Sequence, residues 1–425
     1  MNKKLVVIGC GIAGYTFASE IVTLGKKNNL DFDITIIDKK EIGGVCLNNG
    51  CIPTKSAIYL SEKIKDLNQI KIKNKQIINV LQQGIKQLLK NINYINDEAI
   101  ISSDKQIYLK NNARYIDFDF LIIATGSYPD VPQIFHNKED IYTSDTIFDI
   151  NEIPERLVIV GGGYIGLEFA TLFNNLGSKI TIIEKESRLL PNLNEEIGNE
   201  LQKLFLKNGI ELIFEENIIK IEQNIVYTEN NELLYDKLLI ATGRKPLVME
   251  PKINIETNLN GFKINKFFET SQKGIFVIGD ATNNILLAHK AEYDAKTLAK
   301  NLISEILGKE KTVPDYSLIP FCIFSSPEVV IVGNTSNLNK FVKVRFTKIG
   351  RAYCNDATDG YIKLYLDENN RVVGAEVINK KASDLLGSLI LIINNKMTCN
   401  QISDIIFAHL TMDEIIKEAA IIGSK

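Results

Sequence analysis

Two cysteines, Cys46 and Cys51, are the residues whose type and spacing most directly suggest chemistry. On a regular α-helix, residues five positions apart rise about 7.5 Å along the axis and point roughly 140° apart. A disulfide needs its two Cα atoms within about 7 Å of each other. A bond between these cysteines therefore requires a distorted segment, and Asn48-Asn49-Gly50 can supply it. A strained disulfide is more easily reduced than a structural one, as a redox pair requires.

Two other interpretations of Cys46 and Cys51 stay open from the residues alone. They are two unrelated buried thiols, or one half of a metal site. The Cys-x4-Cys spacing differs from the Cys-x2-Cys spacing of zinc sites, and no Cys/His partner pair is evident downstream.

Length and composition limit the possible classes of protein. A chain of 425 residues predicts two to four domains, and 45% hydrophobic and 24% charged residues are typical of a globular protein. A net charge of −3 offers no basic stripe for nucleic acid and no polybasic membrane anchor. The sequence contains no run of eighteen apolar residues, so no transmembrane helix is expected. The first four residues lead directly into a predicted strand, so no signal peptide is expected. Six sparse cysteines favour a cytoplasmic location.

The N-terminal sequence predicts a dinucleotide-binding unit. A buried strand is followed by Gly9, Gly11 and Gly14 at the start of a helix, and the next strand ends at Asp38. The glycines let the backbone approach a pyrophosphate, which the helix N-terminus favours, and the carboxylate can hold a ribose hydroxyl. The order strand, glycines, helix, strand and acid makes this a specific signal.

A second unit of the same kind begins after residue 156. Its glycine turn contains Gly161, Gly163 and Gly166, and its second strand ends at Glu184. A carboxylate here accepts hydrogen bonds from the ribose 2′-hydroxyl of NAD and repels the 2′-phosphate of NADP. NAD is therefore favoured, although Arg188, four residues later, weakens the argument slightly.

The sequence GGVCLNNGCIPTK at residues 43–55 resembles the active-site stretch of the flavoprotein disulfide reductases. Within that family, its Leu-Asn and Ile-Pro-Thr-Lys, and the AHKAE stretch at residues 288–292, resemble the dihydrolipoamide dehydrogenases most. The motifs occur in the family's order along nearly the whole chain. The pattern of strands after residue 313, followed by three helical stretches, resembles the family's dimer-interface domain.

This resemblance implies an α/β fold with two Rossmann-like domains, for FAD and NAD, and a C-terminal α+β dimerisation domain. We expect the FAD-binding domain to comprise residues 1–126 and 244–312, the NAD-binding domain residues 127–243, and the interface domain residues 313–425. The region between residues 62 and 112 is predicted to form one or two amphipathic helices and a small antiparallel sheet.

The chemistry of a dithiol requires a base near neutral pH, and the chain has three histidines. His136 lies in a polar stretch and His289 at a predicted helix start, which leaves His409. The family carries a His at this position with a Glu five residues later, which matches Glu414. An alternative from the residues alone is that Thr411-x-x-Glu414 is a capping box for the last helix.

The resemblance also implies the roles of the other site residues. Cys46 would be the interchange thiol and Cys51 the thiol facing the flavin, with Lys55 paired to Glu168. The base would reach the cysteines of the other subunit, so a homodimer is expected. The family usually has Pro after this His, whereas this chain has Leu410.

The implied cofactor contacts follow the family's motifs. The FAD contacts are Gly9, Gly11, Gly14, Asp38, Gly44, Lys55, Thr125, Gly126, Gly279, Asp280, Ala288 and His289. The NAD contacts are Gly161, Gly163, Tyr164, Ile165, Gly166, Glu184 and Gly243.

The expected activity is oxidation of protein-bound dihydrolipoamide through the cysteine pair and FAD, with NAD+ as acceptor. The partner would be a lipoyl carrier of a 2-oxoacid dehydrogenase complex or a glycine-cleavage system. One alternative is an NADH-dependent reductase of a small disulfide, a metal ion or a quinone. A third is an inactive structural partner in such a complex.

Overall fold

The computed structural model describes residues 3–249, 251–258, 261–282, 285–336 and 338–425. Two five-stranded parallel sheets and one five-stranded antiparallel sheet form the framework, with helices packed against them. This is the predicted α/β fold with two Rossmann-like units and a C-terminal α+β domain. Within the described residues, no helix is long and apolar enough to cross a membrane.

The first unit forms because its strands are apolar along their whole length, as parallel strands covered on both faces must be. Residues 5–8 of the first strand are all buried. The elements of this part are β1 Lys3–Ile8, α1 Ile12–Lys27, β2 Phe32–Asp38, α2 Gly44–Asn48, α3 Cys51–Ser61, α4 Leu67–Leu88, β3 Asn93–Asn96, β4 Ala99–Ile101, β5 Gln106–Leu109, β6 Arg114–Asp117 and β7 Phe120–Ile123.

The second unit repeats this pattern. Its elements are β8 Ser127–Pro129, β9 Ile141–Thr143, β10 Arg156–Val160, α5 Tyr164–Leu176, β11 Lys179–Glu184, α6 Glu195–Lys207, β12 Glu211–Phe214, β13 Ile218–Glu222, β14 Ile225–Thr228, β15 Glu232–Leu234, β16 Lys237–Ile240 and β17 Arg244–Pro246. The parallel sheet has the order β12-β11-β10-β16-β9. Strands β8 and β17 pair with each other outside this sheet.

The chain then returns to the first unit. The next elements are β18 Thr257–Asn258, β19 Gly261–Phe262, β20 Ile275–Val277 and α7 Ala288–Ile306. Strand β20 pairs with β7, which completes a sheet of order β20-β7-β1-β2-β3, and α7 packs on α1. The predicted interruption of the first unit by the second is therefore present, while the expected domain limits remain predictions.

The C-terminal part is an antiparallel sheet of order β21-β22-β25-β24-β23 covered by helices. Its elements are β21 Phe321–Ile323, β22 Glu328–Gly333, β23 Phe341–Arg345, α8 Gly350–Cys354, β24 Tyr361–Leu366, β25 Val372–Asn379, α9 Leu386–Asn394, α10 Cys399–Ser403 and α11 Glu414–Gly423. The predicted strands after residue 313 and the three closing helices are confirmed. The region between residues 62 and 112 contains the long helix α4 and, as predicted, part of a small antiparallel sheet: strands β4 and β5 lie within it, and β6 follows just beyond it.

The two glycine turns have the same physical cause. Gly9 has a φ of +103°, and a Cβ there would lie 2.3 Å from the carbonyl oxygen of Ala124. Gly161 has a φ of +112°, and a Cβ there would lie 2.4 Å from the carbonyl oxygen of Ala241. Each turn therefore packs against the Ala-Thr-Gly sequence that ends a neighbouring strand of its own sheet, and only glycine fits.

The packing of helix α5 in the core of the second unit can be tested by mutation. Phe173 is fully buried in the core of the second unit, whereas Leu206 on α6 is 51% exposed. We expect Phe173→Ala to lower the free energy of unfolding by about 3–5 kcal/mol, because it leaves a cavity behind α5. Leu206→Ala should change it by about 0.5 kcal/mol or less. Calorimetric unfolding of both variants measures this difference, and equal losses would contradict it.

Candidate active site

The two cysteines are brought together by a break between two short helices. Cys46 lies in α2, Cys51 is the first residue of α3, and Asn49 and Gly50 between them have non-helical backbone angles. The Cys46 thiol forms a hydrogen bond with the Cys51 sulfur. All six cysteines are free in the structure. The distortion predicted between the two cysteines is present.

The two sulfurs have opposite electrostatic characters. The hydrogen bond from Cys46 lowers the pKa of Cys51 from its ordinary value of 9.0 to about 7. The positive charge of Lys55 also lowers this pKa, whereas burial raises it. The same hydrogen bond, together with burial, raises the pKa of Cys46 well above its ordinary range. In the dithiol form, these shifts favour the thiolate on Cys51 and the proton on Cys46.

Lys55 is held beside this thiolate by a buried carboxylate. Its ammonium lies 2.7 Å from Glu168 Oε2, and the Glu168 side chain is only 5% exposed. The Glu168 Oε1 atom accepts a hydrogen bond from the backbone N–H of Phe324 at 3.1 Å. The Lys55 ammonium also lies 5.4 Å from the centre of the Phe324 ring. The sequence prediction paired Lys55 with Glu168 but missed Phe324, for which it contains no local signal.

His409 forms the predicted pair with Glu414. Its Nδ1 atom lies 2.9 Å from Glu414 Oε1, and its side chain is 80% exposed. Glu414 Oε2 accepts the backbone N–H of Thr411, whereas the Thr411 hydroxyl donates to the carbonyl of Ala408, so the capping box is only half formed. The peptide bond between His409 and Leu410 is cis. Among the described residues of one chain, no hydrogen bond joins His409 to the cysteines.

The first glycine turn leaves open backbone where a pyrophosphate would lie. Gly11 precedes α1 without a side-chain cap, and a Cβ there would meet only the Cα atom of Gly44, at 3.8 Å. Asp38, at the end of β2, accepts the backbone N–H of Cys10 at 2.6 Å and that of Lys40 at 2.9 Å. An uncapped helix N-terminus beside a carboxylate fits a dinucleotide.

The remaining predicted FAD contacts lie on the elements around this turn. Thr125 donates its hydroxyl to the carbonyl of Leu247, and a Cβ at Gly126 would have open space around it. Asp280 follows Gly279 in a short 3₁₀ turn after β20, and Ala288 and His289 open α7. Asp280 is partly buried and accepts the Ser127 hydroxyl at 2.8 Å. Glycines 9 and 14 make the close contacts inside the turn.

The second glycine turn has the same open start. Gly163 precedes α5 without a side-chain cap, and a Cβ there would meet no atom within 4 Å. Glu184 Oε2 accepts the backbone N–H of Gly162 at 2.8 Å, and Oε1 accepts that of Glu186 at 3.0 Å. Tyr164 packs edge-on against Phe321, with ring centres 5.9 Å apart. Gly161 and Gly166 pack closely inside the turn, Ile165 lies in the first turn of α5, and Gly243 follows strand β16.

Arg188 is occupied elsewhere. Its guanidinium donates to the carbonyl oxygens of Leu190, Pro191 and Leu193 at 2.7–3.1 Å. The sequence argument for NADP is that Arg188 could bind a 2′-phosphate. Because its guanidinium is hydrogen-bonded to these three carbonyl oxygens, that argument no longer applies.

Residues 3–295 match the family model described as pyridine nucleotide-disulphide oxidoreductase, and residues 319–420 match its dimerisation domain. The chain therefore belongs to the pyridine nucleotide-disulphide oxidoreductase family and is an FAD-dependent oxidoreductase that works with NAD(H). The match to the dimerisation domain supports a homodimer.

Individual relatives are similar over nearly their full length. The chain is 32% identical to dihydrolipoyl dehydrogenase of Geobacillus stearothermophilus, with 99% of this chain and 96% of the relative covered. The same enzyme of Bacillus subtilis is also 32% identical over the same shares of the two chains. Among solved structures, the HOCl-induced flavoprotein disulfide reductase RclA of Escherichia coli has a TM-score of 0.90 at 26% identity, covering 98% of this chain and 99% of that chain.

The thiol–thiolate pair predicts a specific pH dependence. In the dithiol protein, we expect the Cys51 thiolate to appear as the pH rises through about 7. Cys46→Ala removes the donated hydrogen bond, so the midpoint should move upward by roughly one pH unit or more. Thiolate absorbance at 240 nm, recorded against pH, measures the midpoint. Cys354→Ala, at an exposed cysteine, is the matched control and should leave it unchanged.

Proposed function

We propose that this protein oxidises dihydrolipoamide carried on a partner protein, using the Cys46–Cys51 pair, and that NAD+ is the final acceptor. The observation that carries the proposal is the cysteine pair at the break between α2 and α3, beside the ion pair of Lys55 and Glu168. The positive charge of Lys55 lowers the pKa of Cys51. Similarity to dihydrolipoyl dehydrogenases along 99% of the chain supports the choice of substrate.

The order of attack follows from the two pKa values. In thiol–disulfide exchange, the thiol with the lower pKa is the better leaving group. A substrate thiolate that attacks Cys46 expels the Cys51 thiolate, whereas attack on Cys51 would expel the less stable Cys46 thiolate. The second substrate thiol then attacks the substrate sulfur of the mixed disulfide and releases Cys46. The substrate leaves as its disulfide, and the two electrons remain in the cysteine pair.

His409 would accept the proton of the attacking substrate thiol, and Glu414 would orient its ring and stabilise its charged form. The ring is 80% exposed in one chain, which leaves it available to a second subunit. The expected homodimer therefore completes the site. Lys55, paired with Glu168, keeps the Cys51 thiolate stable between the two half-reactions.

FAD, when bound, supplies the reversible two-electron step between the cysteine pair and NAD+. Its pyrophosphate would lie at the first glycine turn and its ribose near Asp38, with Asp280 toward the flavin's sugar chain. NAD would occupy the second turn, with its ribose at Glu184 and its nicotinamide near Tyr164. The domain limits stated above and a cytoplasmic location belong to the same proposal.

The decisive experiment mixes the purified holoenzyme with free dihydrolipoamide and then NAD+ under anaerobic conditions, and follows the visible flavin spectrum. Flavin reduction by dihydrolipoamide and complete reoxidation by NAD+ are expected. A flavin that ignores dihydrolipoamide but is reduced by NADH would contradict the proposal.

The second outcome would favour a reductase that works from NADH toward a small disulfide or a metal ion. A specific observation supports this candidate: the Cu(II) complex of Escherichia coli RclA has a TM-score of 0.90 at 25% identity, with 99% of both chains covered. NADH oxidation in the presence of a small disulfide or of Cu(II), without turnover of dihydrolipoamide, would identify it.

Removal of the proposed base gives a sharper test. We expect His409→Gln to lower turnover of dihydrolipoamide by about 100-fold or more, because the attacking thiol loses its proton acceptor. Reduction of the flavin by NADH should be nearly unchanged, since His409 takes no part in it. The control is His136→Gln, at an exposed histidine bonded to the carbonyl of Val131. A loss below about threefold in His409→Gln would exclude this role.

The nucleotide preference can be tested at Glu184. Glu184→Gln removes the charge that repels a 2′-phosphate while preserving the shape of the side chain. We expect kcat/KM for NADP+ to rise by about 10-fold, and that for NAD+ to fall by a similar factor. Glu186→Gln, two residues away and half exposed, should change neither value. An unchanged NADP+ value in Glu184→Gln would show that this carboxylate does not set the preference.

A further inference from the structure

Arg244 lies where the chain passes between the two dinucleotide units. It begins β17, which pairs antiparallel with β8, so that the two connections between the units run side by side. Despite this position at a junction, its side chain is only 10% exposed. A buried guanidinium needs a partner for each of its donors, and these partners define what it holds together.

The partners of Arg244 lie on strand β8 of the connection and just after strand β9 of the second sheet. Its Nε and Nη2 atoms donate to the hydroxyl and the carbonyl of Ser127, at 3.0 and 2.9 Å. Its Nη1 atom donates to Asp145 Oδ1 at 2.6 Å and to the Ser144 hydroxyl at 3.1 Å. Ser127 begins β8, whereas Ser144 and Asp145 follow β9 of the second sheet. One guanidinium therefore fixes the connection relative to the second sheet.

The network continues from Ser127 to the first cofactor site. The Ser127 hydroxyl donates to Asp280 Oδ2 at 2.8 Å, so its lone pair is free to accept from Arg244. Burial raises the pKa of Asp280, and the Ser127 hydrogen bond and the charges of Arg244 and Lys290 oppose that rise. The carboxyl group is thus oriented by Ser127, and the charge of Arg244 favours its ionised form.

On its other side, the network reaches the loop between the cysteines. The Asn49 side-chain amide donates to the backbone carbonyl of Asp145 at 2.9 Å. Asn49 is exposed, so this bond is weaker than those of the buried guanidinium. It is nevertheless a direct polar contact from the segment between Cys46 and Cys51 to the second unit.

We propose that Arg244 is a positioning residue that aligns three parts of the site: Asp280, the second dinucleotide unit, and, through Asp145 and Asn49, the cysteine loop. The structural basis is the continuous chain of hydrogen bonds from Asn49 to Asp280. The proposal rests on the proposed function in assigning Asp280 to FAD and the second unit to the nicotinamide nucleotide, and its Asn49 test also uses dihydrolipoamide as the reductant.

The test compares Arg244→Met, Arg244→Lys and Ser127→Ala with Arg156→Met. Arg156 forms an ion pair with Asp236 at 2.6 Å on the second sheet, outside the site, and is the matched control. Two quantities are measured: the Kd of FAD for the apoprotein, from flavin fluorescence, and the rate at which NADH reduces the bound flavin. Neither depends on dihydrolipoamide, so a failure of this proposal is distinguishable from a failure of the proposed substrate.

We expect Arg244→Met to weaken FAD binding by about 10-fold or more and to slow flavin reduction by NADH by a similar factor, because several hydrogen bonds from a charged group are lost. Arg244→Lys keeps the positive charge but lacks the planar guanidinium with its several donors. It should therefore recover part of the FAD affinity and part of the rate of flavin reduction by NADH. Ser127→Ala should weaken FAD binding by about threefold or more, with a smaller effect on the NADH rate. Arg156→Met should change neither quantity.

Asn49→Ala tests the contact of the cysteine loop with Asp145 independently of the contacts of Arg244. We expect it to slow flavin reduction by dihydrolipoamide by about two- to fivefold and to leave the NADH rate unchanged, since only the weaker exposed bond is lost. The proposal is overturned if Arg244→Met lowers the melting temperature while the FAD Kd and the NADH rate of the remaining holoenzyme stay at wild-type values. Equal effects of Arg244→Met and Arg156→Met would overturn it as well.

Discussion

The hydrogen bond from Cys46 to Cys51 is the interaction on which the rest of the site depends. It raises the pKa of Cys46 and lowers that of Cys51 to about 7, so the two thiols differ in acidity. That difference requires the helix to break between α2 and α3, because an unbroken helix would direct the two side chains apart. It also requires a cation near Cys51, which Lys55 supplies. The broken helix and the nearby lysine therefore serve the same electrostatic purpose.

Glu168 shows how one buried carboxylate can join several parts of a protein. It lies on α5 of the second unit, yet it pairs with Lys55 of the first unit and accepts the N–H of Phe324 from the C-terminal part. A second bond of the same type lies one helical turn away, where the Thr171 hydroxyl accepts the N–H of Ser326 at 3.0 Å. A buried carboxylate must have its lone pairs satisfied. Because Glu168 meets this requirement with Lys55 and Phe324, the first unit, the second unit and the C-terminal part are in contact beside the cysteine pair.

The family assignment leaves the physiological substrate to be decided by the surface around the dithiol. The relatives include dihydrolipoyl dehydrogenases and the disulfide reductase RclA, which share the fold. Both activities need a dithiol that exchanges electrons with a nicotinamide nucleotide. They differ in direction and in the partner that meets Cys46. The exposed pair of His409 and Glu414 fits both directions, because a base that accepts the proton of an attacking thiol returns it to the departing thiolate in the reverse reaction.

The sequence by itself determined the features that depend on neighbouring residues. Two glycine turns, the acids at Asp38 and Glu184, the helix 164–176 and the final strands and helices are encoded within short segments, where backbone freedom and apolar patterning decide the structure. The tertiary structure alone decided the contacts of Arg244 with Asp145 and of Glu168 with Phe324, which join residues 99 and 156 positions apart. No local pattern specifies such partners, because they are selected when buried polar groups from distant segments must satisfy one another.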